Sequence, residues 1–376
     1  MKSSTLPIIP GATIGILGGG QLGKMSLMAA HQLGYHTVVW AAPGDNPAME
    51  MATHRIEAPY TDRSAFEQFL ELADVTTTEW ENIPLWLMKE LQNRGVIVRP
   101  GARVLEVAQS RLEEKRVAMA LSIPTTEFLS IPFESTFTEE EIAPFLPGIL
   151  KTNRLGYDGK GQFPVSTFEE FCEACAKADA PCVLEKCATL KTEISVLVAR
   201  TADGLMSVSD VVENLHKNGI LDVTMWPPEM DVLSDRSDAV DNLSFEEEAQ
   251  RYALNIANHL GLEGILCLEF FVTEDGRLLF NEMAPRPHNS FHGSIEAAST
   301  SQFEQHVRAI CGLPLGEVTF HTAFTMQNLI GGSWDDWSEY LNIPNTRLHL
   351  YGKQESREGR KMGHVTMLRD ADDTFD

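Results

Sequence analysis

Nowhere in the chain do roughly 18 or more apolar residues run together, which removes a membrane-spanning helix from the reading. Basic residues are scarce too: 30 lysines and arginines stand against 54 aspartates and glutamates, a formal net charge of -24. A general nucleic-acid or anionic-membrane surface needs a basic face, so neither partner is expected. The deficit leaves room for a small anionic substrate, because one local basic pocket suffices for it. Net charge speaks mainly to solubility. Cysteine is sparse, at six residues. Cys172 and Cys175 form a C-x-x-C, but inside a helical-looking acidic run, with no second pair and no histidine at zinc spacing. Reduced thiols on helix and strand faces follow, and with them a cytoplasmic location. Met1 to Pro10 holds one lysine, two prolines and no long apolar run, so no secretory leader is expected there.

What is present suits a folded protein of two or three domains: 376 residues, 43% hydrophobic and 22% charged. Ile14 to Leu17 reads as a strand running into glycines, Gln21 to Leu33 as a helix, and Thr37 to Trp40 as the next strand. Phe66 to Leu72 is helical and Val75 to Thr78 extended. This alternation predicts a parallel, doubly wound α/β sheet over about the first hundred residues. Ser110 with Glu113 matches a capping box, opening a helix that stops near Ile123-Pro124. Short strands follow at 149–152, 183–186 and 194–200. An acidic connection over Asp231 to Glu248 then leads to a helix over Ala249 to Leu260 and a hairpin. From about Gly316 the tail is strand-like.

Three constellations carry chemistry. Gly18-Gly19-Gly20-Gln21-Leu22-Gly23 fits G-x-G-x-x-G between a strand and a helix, a geometry that presents N–H groups to an anion. The second strand ends Trp40-Ala41-Ala42 without the acid a dinucleotide ribose wants, so another phosphate is the better reading. Next, Lys151 ends a strand ahead of a loop with Gly156, Gly159 and Gly161, where backbone N–H groups and Lys160 can approach phosphate. Such a loop also occurs as a plain exposed turn. Val183 to Lys186, running into Cys187-Ala188, is a strand-to-linker edge suited to an adenine, with Glu193 downstream for a ribose. A buried strand with surface acids fits equally well.

The third is a hairpin. Asp275-Gly276 suits a two-residue turn, and counting back pairs Glu274 with Arg277, Phe271 with Phe280, and Glu269 with Glu282. Like charges at that distance destabilise a sheet, so something positive is expected between the two glutamates, Mg2+ above all. Ala284-Pro285-Arg286-Pro287-His288-Asn289-Ser290 then projects Arg, His and Asn from a backbone pinned by two prolines, fit for anion binding.

With these residues in view, the chain resembles the ATP-grasp enzymes, and within them the N5-carboxyaminoimidazole ribonucleotide synthetase family of purine biosynthesis. The resemblance runs nearly end to end. It rests on Gly19 to Gly23, Glu79-Trp80-Glu81-Asn82, Gly156 to Gln162, Asn281-Glu282, Ala284 to Ser290, Thr300 to His306, and Leu348 to Lys353 through Arg360-Lys361-Met362-Gly363-His364. It implies an α/β ATP-grasp fold: a doubly wound pre-ATP-grasp domain over 1–108, an ATP-grasp domain over 109–315 with a lid about 125–190, and a small β-rich domain over 316–376. It implies a ligase joining bicarbonate to 5-aminoimidazole ribonucleotide through carboxyphosphate, with ATP and Mg2+, in a homodimer.

The resemblance also implies roles. Arg111, Lys151 and Lys160 would steady phosphates, with Gly156, Tyr157, Asp158, Gly159, Gly161 and Gln162 in the closing loop. Glu185, Lys186, Cys187, Ala188 and Glu193 would hold adenosine, His216 would line its pocket, and Asn281 and Glu282 would also bind ATP. Glu269 and Glu282 would carry the metal. Arg286 and His288 would orient bicarbonate, with Tyr157, Lys160 and Lys353 near the chemistry. Gly20, Gln21, Leu22, Glu79, Glu81, Asn82, Lys353, Arg360 and Lys361 would hold the ribonucleotide. The chain departs from the family at Leu155, where a double glycine is usual before the loop, and at Phe291-His292-Gly293, where Gly-His usually follows Asn-Ser. A formate-dependent glycinamide ribonucleotide transformylase shares the Pro-Arg-Pro-His segment; the Lys353 to His364 tail favours the first family. A non-catalytic nucleotide sensor would lack reason to keep Lys151, Glu269, Glu282 and Lys353.

Overall fold

The structure is a computed structural model, and it describes residues 7–156, 159–229 and 243–369. The first sheet is parallel, in the order β3-β2-β1-β4-β5. Its strands are β1 (Thr13–Leu17), β2 (His36–Ala41), β3 (His54–Glu57), β4 (Val75–Thr78) and β5 (Ile97–Val98). Parallel strands need crossovers, and the helices Gln21–Gln32 and Arg63–Leu72 supply two of them. Both faces are therefore covered, which is why β2 is apolar almost throughout. Trp40 on β2 is fully buried against Tyr60, Phe66 and Phe69, and its indole N–H reaches the Ala58 carbonyl at 2.9 Å.

A small antiparallel sheet follows, in the order β6-β9-β7-β8. It comprises β6 (Phe128–Ile131), β7 (Gly148–Thr152), β8 (Gln162–Val165) and β9 (Cys182–Lys186). The central sheet runs β15-β14-β10-β12-β13-β16-β18-β17, with β11 beside β10. Its members are β10 (Leu190–Arg200), β11 (Met206–Val208), β12 (Val212–Lys217), β13 (Ile220–Trp226), β14 (Gly264–Thr273), β15 (Leu278–Ala284), β16 (Ala323–Ile330), β17 (Thr346–Leu350) and β18 (Lys361–Arg369). The β-rich tail thus adds three strands to one edge of this sheet through the β13–β16 pairing.

Two local expectations change. The helix expected from Ala249 begins at Phe245: Ser244 and Glu247 form a capping box, and Glu246, Glu247 and Glu248 sit where the helix dipole favours anions. Those acids belong to the helix, not to a connection, while 231–242 of that stretch lies outside the described residues. At Ser110 only half of the box forms. Its hydroxyl accepts the Glu113 N–H, but Glu113 turns to Arg116, because the Ser110 N–H already reaches Val107.

The hairpin is the third correction. Its turn has three residues, Glu274-Asp275-Gly276, with Gly276 at φ +79° and the Thr273 N–H on the Arg277 carbonyl. Pairing beside it is therefore one residue off the expected count: Phe271 faces Leu279, and Phe280 faces Phe270. A bulge at Asn281 shifts the register back, so Glu269 does face Glu282.

Candidate active site

A cavity of about 360 Å3 opens where the first sheet, the 111–120 helix and the hairpin meet. Its wall brings together Gln21, Leu22, Glu79, Glu81 and Asn82 from the first sheet's edge, and Arg111 and Gly156 beside the lid. Glu269, Glu282, Arg286, His288 and Lys361 complete the set from the central sheet and the loop after it. Tyr157 and Asp158 lie outside the described residues. Gly159 leans on the Asn218-Gly219 turn between β12 and β13, so this loop bridges the small sheet and the central one.

Among the described residues each of the two facing glutamates has one partner, and only that of Glu282 is charged. Arg111 donates to Glu282 at 2.8 Å, and His288 Nε2 lies 3.2 Å from Glu269. Burial and then the facing Glu282 push the Glu269 carboxyl up to about 8. Burial would raise Glu282 as well, but Arg111 and Lys151 bring it below its ordinary value. Burial, then Arg286 and Lys361, hold His288 neutral, well below the usual histidine range. Its Nδ1 lies 2.8 Å from the Ser290 hydroxyl, and its Nε2 is the nitrogen facing Glu269. Arg286 is held by Glu81 through Nε at 2.5 Å and by the Pro287 carbonyl through Nη1, which among the described residues leaves Nη2 for a ligand.

Lys151 and Glu185 are buried in the small sheet, outside the cavity wall. Glu185 Oε2 takes Lys151 at 3.2 Å, Lys115 at 3.1 Å and the Thr126 hydroxyl at 2.8 Å. Burial alone would raise this carboxyl; the two lysines bring it down to about 2. Lys115 spends its remaining bonds on Thr125 and Thr126. Sequence reasoning missed Lys115 and its neighbour Glu114, which accepts the Met283 N–H at 3.0 Å. The available signal was spacing: Arg111, Glu114 and Lys115 stand at i, i+3 and i+4, one charged helix face that turns inward. Gln109 was missed as well; its amide donates to the Glu81 and Ile83 carbonyls and fixes the Glu79–Asn82 loop.

Several expected donors are already engaged. Gly20 and Gly23 N–H groups bind Glu79, at 2.7 and 3.2 Å, so this carboxylate occupies the anion place the glycine turn was expected to offer. A Cβ on Gly18 or Gly20 would meet Glu79 at 2.5 and 2.7 Å, which is why glycine stands there. At the hinge, the Lys186 and Cys187 N–H groups reach the Glu127 and Pro147 carbonyls, and the Lys186 ammonium pairs with Glu127 at 3.5 Å. Ala188 follows outside the strand. Of the tail cluster, only Lys361 reaches the cavity wall. Lys353 donates to the Lys361 carbonyl at 2.6 Å over the Tyr351 ring, and Arg360 binds Asp45 at 2.7 Å. Glu193 and His216 sit on adjacent strands, 3.3 Å apart.

Both departures from the family pattern have a local account. Leu155 is 71% exposed at φ +64°, a left-handed conformation that glycine adopts without cost. Phe291 is fully buried and stacks on Phe320, while Gly293 leaves the space that the Phe324 ring fills. The bulk gained at 291 is matched by the room kept at 293, and the loop carrying His288 is anchored by it.

Comparison with known proteins returns the same architecture. Family models match as an ATP-grasp domain over 116–303, a ribonucleotide synthetase preATP-grasp domain over 11–109, and a phosphoribosylaminoimidazole carboxylase C-terminal domain over 325–376. The N5-carboxyaminoimidazole ribonucleotide synthase of Brucella melitensis biotype 1 is 40% identical over 363 residues, spanning 96% of this chain and 97% of that one. The solved N5-carboxyaminoimidazole synthetase of Staphylococcus aureus complexed with ADP matches with a TM-score of 0.87 at 35% identity, covering 96% and 94%. The Aspergillus clavatus enzyme in complex with ADP and 5-aminoimidazole ribonucleotide matches with a TM-score of 0.83 at 28% identity, again over 96% and 94%.

Proposed function

The chain belongs to the N5-carboxyaminoimidazole ribonucleotide synthase family, and on that premise we propose that its cavity carboxylates 5-aminoimidazole ribonucleotide with bicarbonate while ATP becomes ADP and phosphate. It is an ATP-grasp ligase of purine biosynthesis. The observation that carries the reading is the facing pair Glu269 and Glu282, set between the Arg286–His288 loop and Arg111 in one cavity wall.

A bicarbonate oxygen attacks the γ-phosphorus, the β,γ-bridging P–O bond breaks, and ADP leaves with the bond's electrons. The carboxyphosphate delivers its carboxyl carbon to the substrate amine and releases phosphate. Arg286 Nη2 orients the carboxyl oxygens, and neutral His288 is placed to move a proton through Nε2. Arg111, Lys151 and Lys160 steady the nucleotide's phosphates, with Tyr157 and Asp158 in the loop that keeps water from the labile intermediate. Glu185 to Ala188, Glu193 and His216 hold adenosine, with Ala188 as the hinge N–H donor. Lys361, Gln21 and Glu81 face the ribonucleotide, with Lys353 and Arg360 behind them.

The donors suit Mg2+: two carboxylates face each other, and Asn281 Oδ1 beside them is buried without a partner among the described residues. Held by Glu269 and Glu282, the ion would neutralise charge on phosphate oxygens. Domain limits of 1–108, 109–315 and 316–376, a cytoplasmic location and a homodimer complete the proposal. No described helix is long and apolar enough to cross a membrane. ADP release that needs 5-aminoimidazole ribonucleotide and bicarbonate supports the reading. Equal or faster release with glycinamide ribonucleotide and formate overturns it.

A further inference from the structure

We propose that the nucleotide-free protein carries a second cation site, made by Glu193, His216 and Glu269 and suited to a transition metal such as Zn2+. The sheet builds it. Glu193 on β10 stands opposite Asn214 on β12 and Phe271 on β14, and Ser195 stands opposite Glu269. Cross-strand partners share a face, and alternate residues along a strand share it too. Glu193, Glu269 and His216 therefore project from one face of three adjacent strands. The irregularity beside His216 inserts Asp222 on β13, so the alternation of β12 is kept.

The three donors converge, and small side-chain rotations close them onto one ion. A donor atom from each of the three lies within 4.8 Å of the other two. A tetrahedral ion with bonds of about 2.1 Å separates its ligand atoms by about 3.4 Å, and His216 Nδ1 stands 3.3 Å from Glu193 Oε2. That nitrogen is buried yet has no aligned hydrogen bond among the described residues, so the contact with Glu193 is close without being satisfied. Glu269 is 7% exposed, and about four fifths of the His216 side chain is covered. Two carboxylates and an imidazole in such a place favour a borderline ion over Mg2+, which prefers oxygen ligands and keeps its waters. The strands are fixed beneath it by Asn214 donating to Ser195 at 2.6 Å and Thr224 donating to Asn214 at 2.9 Å.

The consequence rests on the proposed function. Glu193 and His216 are its adenosine contacts and Glu269 its Mg2+ ligand, so Zn2+ and Mg-nucleotide exclude each other. Zn2+ is then an inhibitor competitive with ATP and not with the ribonucleotide.

The test is titration of the untagged, nucleotide-free full chain with Co2+, followed by its visible d–d absorption, and with Zn2+ by calorimetry. The expected result is one tetrahedral Co2+ per chain, displaced by Zn2+, with affinity at least tenfold lower in both His216→Gln and Glu193→Gln. In Glu282→Gln the tetrahedral spectrum persists, since that residue belongs to the other pair. Two variants guard against one that fails to fold, and circular dichroism reports the fold of each. No tetrahedral Co2+, or equal affinity in wild type and both variants, overturns the inference. Such a result with ribonucleotide-dependent ADP release intact overturns this site alone, whereas absent turnover would strike the family reaction itself.

Discussion

Glu269 on β14 stands directly opposite Glu282 on β15, and the bulged Asn281 is what brings them level. Without the bulge, the three-residue turn would set Glu269 opposite Asn281 and put Glu282 on the other face. The frustration is eased by Arg111 on one carboxylate and His288 on the other.

Replacing either acid therefore removes a ligand from the proposed Mg2+ position while leaving a residue of the same shape. Glu269→Gln and Glu282→Gln are each expected to lower kcat/KM for ATP by on the order of 10²-fold, ~3 kcal/mol of transition-state stabilisation, and to raise the Mg2+ needed for half-maximal rate. Steady-state kinetics across a Mg2+ series checks this. Unchanged metal dependence in both variants would remove the pair from the site.

Lys353 gives a pH dependence with a definite sign. Burial, then Arg360 and Lys361, push its ammonium down to about 8, against about 10.4 for a free lysine. Its positive charge is present below pH 8 and lost above it. For the ribonucleotide, kcat/KM is expected to fall as pH rises through 8, by at most about tenfold per unit. Lys353→Arg keeps its charge and should flatten that limb. A wild-type profile that stays level to pH 9.5 would show that the Lys353 charge does not act on the ribonucleotide from behind Lys361.

Leu155 holds a left-handed backbone that costs a side chain roughly 1 kcal/mol. Leu155→Gly is accordingly expected to be more stable than Leu155→Ala by about that amount, read by thermal unfolding. The opposite order would mean that the lid entrance does not keep this conformation.

Gly293 has no room for a methyl group, since Phe324 fills the space. Gly293→Ala should cost about 1–3 kcal/mol through overpacking, and Phe324→Leu in the same chain should recover part of it. Thermal unfolding of the single and double variants measures the coupling. Strict additivity would show that the two positions do not touch.

Lys115 lies outside the cavity wall, yet its loss leaves Glu185 with one ammonium in place of two. Lys115→Met is expected to destabilise by about 2–3 kcal/mol, and adding Glu185→Gln should return part of that. The carboxyl is lowered by folding, so this stability is present above its unfolded value of about 4.3 and lost as pH falls toward 2. A Lys115→Met chain as stable as wild type at pH 7 would contradict the buried cluster.

The parts of the fold carried by local periodicity were legible: β1, β2, β4 and the first helix fall within a residue of expectation, while the second helix starts three residues earlier, at Arg63. The glutamate pairing was legible for an incomplete reason. A two-residue turn was expected, the turn has three, and the Asn281 bulge restores the count. Nothing local to Asn281 announces a bulge, since the strand on either side of it is held from far along the chain, the Phe280 N–H by the Pro124 carbonyl and the Met283 N–H by Glu114. The glycine turn was legible as an anion place but not as one filled by Glu79, because its occupant comes from the loop after β4, 59 residues away. Lys115 escaped for the same reason: its partner Glu185 lies in another sheet.

The central claim is that bicarbonate is phosphorylated in this cavity. Turnover with 18O-labelled bicarbonate, ATP, Mg2+ and 5-aminoimidazole ribonucleotide, with the released phosphate examined by mass, tests it most directly. Attack by a bicarbonate oxygen on the γ-phosphorus predicts one 18O in each phosphate formed. Phosphate that carries none, alongside normal ADP release, would contradict it.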